Sequence, residues 1–272
     1  MLITVNGLVV RSYPTGEHDH VLHILTEERG RLSVMVKGGR TSRKNALAAT
    51  TQLYTYGNYE LYRGNSGDLY WLRGGSILRH FFHVTTDIVH HALAAYLCDL
   101  SADMTDEGNA TPESETLLRM LLNTLHVLSE RTYPPALVKG VFEFRAAAMM
   151  GYRPNLTGCA YCGTAYPPSG YFDIMNGRLV CADCQTKLNG IHGRLAVRKA
   201  EELGERRIVC PFTAATLAAL RYTLTAPDRK IFSFSLTDPE EERLFANLTE
   251  SYLLNQLERD FDTLKFYRSV IL

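Results

Sequence analysis

The sequence predicts an α+β protein of more than one domain. An N-terminal β-barrel domain spans residues 1–80, and a mainly α-helical domain spans 81–272 with a four-cysteine module inserted at 152–192. Three observations predict this. Five β-rich segments crowd into the first 80 residues, apolar positions after His80 recur at spacings of three and four, and two Cys-x-x-Cys pairs interrupt the helical pattern. Alternation marks a half-buried strand, and the three-and-four spacing marks one face of a helix.

The strand segments are 2–11, 21–26, 31–37, 52–62 and 69–78, rich in Val, Ile, Thr, Tyr and Leu, side chains that pack well on a pleated surface. Pro14-Thr15-Gly16, Glu28-Arg29-Gly30, Gly38-Gly39 and Gly64-Asn65-Ser66-Gly67 punctuate them with residues that accept turn conformations. Five short strands suit a small barrel, and an OB-fold is favoured. An SH3-like barrel has a similar strand count, and composition gives no strand order.

Ile88, Ala92, Ala95, Tyr96, Leu97 and Leu100 form the first helical face, which ends near Asp103. Thr111-Pro112-Glu113 starts the next helix with a capping hydroxyl and a proline at the first helical position; Leu117, Leu118, Leu121, Leu122, Leu125 and Leu128 give it a broad apolar face. A third helix runs from Pro134-Pro135 through Leu137, Val141, Phe144 and Ala148 and stops at Gly151, a residue suited to the left-handed conformation that closes helices. Residues 152–192 carry few aliphatics, so that loop-like segment needs something other than its own core to hold it. Helical patterning returns at 213–225. From Asp238-Pro-Glu-Glu one long amphipathic helix is expected, carrying Leu244, Leu248, Tyr252, Leu257, Phe261 and Leu264.

Composition sets bounds on function. With 46% hydrophobic and 21% charged residues, the chain has ordinary globular composition. It lacks both an apolar run of about 20 residues and a secretory leader at its N-terminus, so a cytoplasmic, non-membrane protein is expected. Cys98 and Cys210 lie in apolar surroundings and the other four cysteines are paired by spacing, a usage that fits a reducing compartment. Formal net charge is zero, yet from Arg29 to Tyr59 there is no acidic residue while Arg29, Arg31, Lys37, Arg40, Arg43 and Lys44 are basic. The charge is therefore concentrated where a phosphate backbone could be bound.

Cys159-Ala-Tyr-Cys162-Gly and Cys181-Ala-Asp-Cys184 stand eighteen residues apart, a spacing at which four thiolates close a tetrahedral zinc site. A thioredoxin-like redox pair needs a single such motif at a strand-to-helix junction. Four protein ligands also leave no coordination position for water, so the zinc is structural and its binding energy supports folding. The segment from Val36 to Lys44 is a basic, glycine-containing loop. It does not carry the Gly-x-x-x-x-Gly-Lys-Ser/Thr string that nucleotide hydrolysis by a P-loop requires. Lys37, Arg40, Arg43 and Lys44 are the candidate phosphate-binding residues, against the plain alternative of a solvated basic loop.

Tyr54, Tyr56, Tyr59 and Tyr62 follow, with faces on which unstacked bases stack. Regular pairing places Tyr54 and Tyr56 on one strand face and Tyr59 on the other, so at least one belongs to the core. The histidines are scattered, with no His-Glu-x-x-His, and Gly-x-Ser-x-Gly is missing. No active site is fixed by local sequence.

These residues resemble a known family. Asn6-Gly-Leu-Val-Val-Arg11, Gly16-Glu-x-Asp19, Leu25-Thr-Glu-Glu-Arg-Gly-Arg-Leu32 and Val36-Lys-Gly-Gly-Arg40 follow in order and look like the N-terminal domain of RecO proteins. Phe144-Arg145, Gly151-Tyr152-x-Pro154 and Cys159-x-x-Cys162-Gly163 look like that family's passage from helix to zinc knuckle. The resemblance implies an N-terminal OB-fold, a helical domain with a structural zinc module, and recombinational DNA repair without catalysis. It implies binding of single- and double-stranded DNA, annealing of complementary strands, and work with RecR to load RecA on DNA coated by single-strand binding protein. RecF and RecA are reached indirectly, in a nucleoid-associated, cytoplasmic setting. Carried over, Lys37, Arg40, Arg43 and Lys44 contact phosphate and Cys159, Cys162, Cys181 and Cys184 hold zinc. Arg119, Arg131 and Arg145 are candidate anchors for the acidic tail of single-strand binding protein. Some family members lack the cysteines, so the metal is not the shared function. Two rivals remain: a zinc-containing nucleic-acid-processing enzyme, and a protein scaffold that does not touch DNA.

Overall fold

The computed structural model describes residues 1–17, 19–38, 46–64, 69–189 and 208–271. They form a mixed α+β protein with an N-terminal sheet and a helical C-terminal part. The chain divides into two compact units, Met1–Pro135 with Phe261–Leu272, and Ala136–Asp260.

In the first unit β1 (Leu2–Thr15), β2 (Asp19–Thr26), β3 (Gly30–Val36), β4 (Thr55–Arg63) and β5 (Tyr70–His80) close on themselves in the order β1-β2-β3-β5-β4. All pairs are antiparallel except β3 with β5, where Val34 lies beside Tyr70 and Met35 beside Trp71. The long β1 serves two neighbours, its first half pairing with β4 and its second with β2, with an irregularity between Val9 and Arg11. At the crossover Gly7 is opposite both Thr26 and Gly57; a Cβ there would sit 2.6 Å from the Ile24 side chain. Ile3, Val5, Val9, Leu22, Ile24, Leu32, Val34, Tyr59 and Leu61 fill the interior, as alternation requires.

A short helix α1 (Ala46–Thr50) precedes β4, and Tyr59 inside the barrel donates its hydroxyl to the Thr50 carbonyl at 2.9 Å. Helices α2 (Ile88–Asp103) and α3 (Pro112–Glu130) follow the barrel. The Asp87 side chain caps the first, and a reciprocal Thr111–Ser114 capping box starts the second. Asp99 of α2 accepts from Arg11 Nε at 2.5 Å, tying the helix to the barrel wall.

The second unit opens with α4 (Pro135–Met149). It continues through β6 (Asn155–Cys159), β7 (Ser169–Asp173), β8 (Arg178–Cys181), α5 (Ala182–Asn189), β9 (Val209–Thr213), α6 (Ala214–Thr225) and α7 (Pro239–Leu257). Its strands form a four-stranded sheet in the order β6-β8-β7-β9. Phe144 of α4, Phe172 of β7 and Tyr252 of α7 meet with ring centroids 5.2–6.4 Å apart and form the centre of its core. Lys139, buried, is paired with Glu143 at 3.0 Å and Glu250 at 2.7 Å.

The sequence reading differs from this structure in three places. The cysteine segment, read as loop, contains three strands and the helix α5; its strands are four or five residues long, too short for alternation to register. The helix expected to run to Leu264 ends at Leu257, where Glu258 adopts a left-handed φ of 49°, and α8 (Asp262–Val270) starts afresh after Phe261. Tyr54 does not share a strand face with Tyr56, because it precedes β4 with φ 64° and is fully buried. Among the described residues no helix is long and apolar enough to cross a membrane.

Candidate metal centre and nucleic-acid interface

Cys159 ends β6, Cys181 ends β8, and Cys184 lies in the first turn of α5. Pairing β6 with β8 in parallel, with Cys159 beside Leu179, brings the two strand ends together. Gly163, at φ 73°, closes the knuckle after Cys162 by donating its N–H to the Cys159 carbonyl at 3.0 Å. The four sulfurs lie within 4.8 Å of one another, and Cys162 Sγ is 3.7 Å from Cys181 Sγ. A tetrahedron of metal–sulfur bonds of about 2.3 Å has sulfur–sulfur edges of about 3.8 Å, so this cage fits a metal ion.

The surroundings favour thiolate at the first ligand. Burial raises the Cys159 thiol, but N–H donors from Cys181, Cys162 and Tyr161 outweigh it and hold the group down to about 6. Burial and the neighbouring sulfurs push Cys184 up to about 12. Four sulfurs this close cannot all ionise without a cation between them. Cys159, Cys181 and Cys184 are buried with Val180, and Leu188 packs against them. All four candidate metal ligands are thus brought together, and the cage could bind a metal.

Of the candidate phosphate-binding residues, Lys37 is exposed just past the end of β3, while Arg40, Arg43 and Lys44 lie outside the described residues. Gly38 donates its N–H to Asp19 Oδ1 at 2.8 Å, fixing the path of the chain as it leaves the strand. Lys37 Nζ sits 4.8 Å from the centroid of Trp71, and among the described residues it has neither an ion pair nor a hydrogen bond. Trp71 lies beside Met35 and opposite Tyr62, which lies opposite Leu2. Directly opposed residues share a sheet face, so Met35, Trp71, Tyr62 and Leu2 form an outward stripe, with Tyr62 39% and Leu2 63% exposed.

Sequence reasoning missed Trp71. As the chain's one tryptophan, on a strand after the basic stretch, it was open to notice. Of the four tyrosines, Tyr54 and Tyr59 are buried. Tyr56 hydrogen-bonds Glu27; burial, then that carboxylate, raises its hydroxyl above the usual range. Tyr62 alone of the four presents a well-exposed ring.

The three arginines considered as anchors are engaged locally. Arg119 faces Glu115 at 3.5 Å, and Arg131 donates to Thr86 Oγ1 at 2.9 Å. Arg145 donates to the Thr223 and Ala226 carbonyls at the end of α6 and pairs with Asp228 at 2.9 Å.

Two family matches cover nearly the whole chain, "Recombination protein O N terminal" over residues 1–81 and "Recombination protein O C terminal" over residues 85–265. The chain is 26% identical over 268 residues to the DNA repair protein RecO of Acetivibrio thermocellus, covering 98% of this chain and 97% of that protein. It is 31% identical over 184 residues to the protein of that name from Alkaliphilus metalliredigens, covering 68% and 72%. To that of Halalkalibacterium halodurans it is 29% identical over 187 residues, covering 69% and 70%.

Proposed function

The chain belongs to the RecO family of DNA repair proteins, and from that premise we propose that it is a non-enzymatic recombination mediator. It binds single- and double-stranded DNA and anneals complementary strands. With RecR it loads RecA onto DNA coated by single-strand binding protein. The strand order, closed by the parallel β3–β5 pair, supports an OB-fold over an SH3-like barrel.

The observation that carries the DNA-binding reading is Lys37 over the Trp71 ring without an acidic partner among the described residues, at the edge of the outward stripe and at the start of the basic stretch of sequence. Unpaired bases stack on such rings while cations follow the backbone. Four thiolates complete a tetrahedron, so zinc at the cysteine cage is structural and offers no open position to a substrate.

Fluorescence anisotropy of a labelled single-stranded oligonucleotide, across a salt series, tests the reading. Wild type is expected to bind with a steep salt slope. Replacing Lys37, Arg40, Arg43 and Lys44 together by Ala flattens that slope, by roughly 0.7 for each phosphate no longer neutralised. Trp71→Ala weakens binding several-fold with the slope kept. No wild-type binding at low salt favours the scaffold. Annealing without nucleotide or cleavage supports the mediator, whereas metal-dependent cleavage favours the enzyme.

A further inference from the structure

Resting on the single-strand-binding reading, we infer that the cleft between the cysteine knuckle and α6 is a second binding site for single-stranded nucleic acid, taking one unpaired base on Tyr166 and its phosphate on Arg221. A pocket of about 270 Å³ is lined there by Tyr166, Pro167, Pro168, Leu217 and Arg221. Pockets for larger ligands start near 300 Å³, so this volume suits a single planar group.

Three features point to a nucleotide. The Arg221 guanidinium lies 3.7 Å from the centroid of the Tyr166 ring. Among the described residues Arg221 has neither a carboxylate partner nor a side-chain hydrogen bond, so its N–H edge is available to an anion. In the same unit Arg145, Arg178 and Arg243 are each paired with an acid.

Tyr166 is 50% exposed and adopts φ 47°, a left-handed conformation that bulky residues rarely take and that the surrounding structure must enforce. The backbone enforces it by pairing the Tyr166 N–H with the Thr157 carbonyl at 3.2 Å, across the hairpin bridged by Gly158 and Ala165. The turn therefore carries a half-exposed aromatic ring at a conformational cost, beside a cation with no acidic partner among the described residues. Tyr161, 47% exposed on the same knuckle, has Arg178 over its ring at 5.6 Å. An aromatic face beside a cation repeats, with other residues, the Lys37–Trp71 pair on the barrel. Rings for bases and cations for phosphates are the recognition elements of single-strand binders.

The test uses the full-length, zinc-loaded protein and a labelled oligothymidylate. Tyr166→Asn removes the ring while keeping a residue that tolerates the left-handed turn; metal content and melting temperature check that the fold is retained. Its affinity for the oligothymidylate is expected to fall roughly tenfold with the salt slope kept and duplex affinity unchanged. Arg221→Ala is expected to lower the slope by about 0.7. Undiminished affinity in Tyr166→Asn, alongside weakened binding in Trp71→Ala, overturns this site and leaves the barrel reading standing. A wild type that binds no oligothymidylate at low salt overturns both. If Tyr166→Asn loses only binding of an acidic aromatic peptide, the cleft is a protein-docking site and the proposal falls.

Discussion

At Cys159, local donors do more than proximity alone. Its sulfur receives the Cys181 N–H at 3.3 Å, and the donor set holds the thiol down to about 6 against the effect of burial. Cys159→Ser keeps the size and loses the soft ligand. It is expected to abolish metal binding and lower the thermal stability of the second unit, measured by metal analysis and melting curves; unchanged values of both would contradict the cage as a metal site. His23 gives a pH-dependent prediction. Its Nδ1 is buried with no hydrogen-bond partner among the described residues. Burial first, then Arg31 and Arg11, lower the ring to about 4, outweighing Glu107 and Asp99. An unfolded histidine titrates near 6.5, so as pH falls from about 6.5 to about 4 the unfolded chain takes up the proton first and stability drops. Denaturant midpoints for wild type and His23→Asn, compared between about pH 7.5 and pH 5, are expected to show the wild type losing ground as acid is added. A gap that stays constant would mean that His23 does not titrate this way.

Among elements, the ones read most clearly in the sequence have caps or alternation. Thr111-Pro112 and Thr213 mark their helices to the residue, and the five barrel strands fall within a few positions of the expected segments. The strands of the cysteine module were illegible because their order comes from the cage and from neighbours distant in sequence. Gly170 of β7 illustrates this. A Cβ there would meet the Val180 carbonyl oxygen at 2.2 Å and Cys181 Cα at 3.0 Å, both backbone atoms of the strand that supplies a candidate ligand. Gly170→Ala is therefore expected to push β7 from β8, costing about 1–3 kcal/mol as overpacking does and weakening metal retention. Competition with a chelator would read the second effect, and wild-type retention would show that the sheet spacing does not hold the cage. The Tyr54 misreading has a similar origin. Alternation was extended back past the start of β4, where a left-handed backbone turns the ring into the core.

For the whole molecule, chain order and packing order differ, and periodicity alone reports only the first. A change from alternation to helical spacing is visible near His80, but nothing in the last helical stretch shows that residues from Phe261 onward return to the first unit. The break at Glu258 makes the return possible, and long-range packing holds it. Phe261, Leu264 and Tyr267 are buried, Phe261 meets Tyr96 edge to face at 5.8 Å, and Thr263 donates to Asp99 Oδ2 at 2.9 Å. Asp99 also accepts from Arg11, so α8, α2 and the barrel wall share one polar joint. Burying each large apolar side chain contributes roughly 1.5–3 kcal/mol, a large share of the roughly 5–15 kcal/mol that typically holds a domain. Ending the chain after Asp260 is therefore expected to destabilise the barrel-bearing unit, although the deletion lies at the other end of the sequence, while metal binding at the cysteine cage of the second unit is left unchanged. Hydrogen exchange would register the change in β1 and α2, with metal content as the control. Unchanged protection in β1 and α2 would show that the terminal helix contributes nothing to the barrel it reaches through α2.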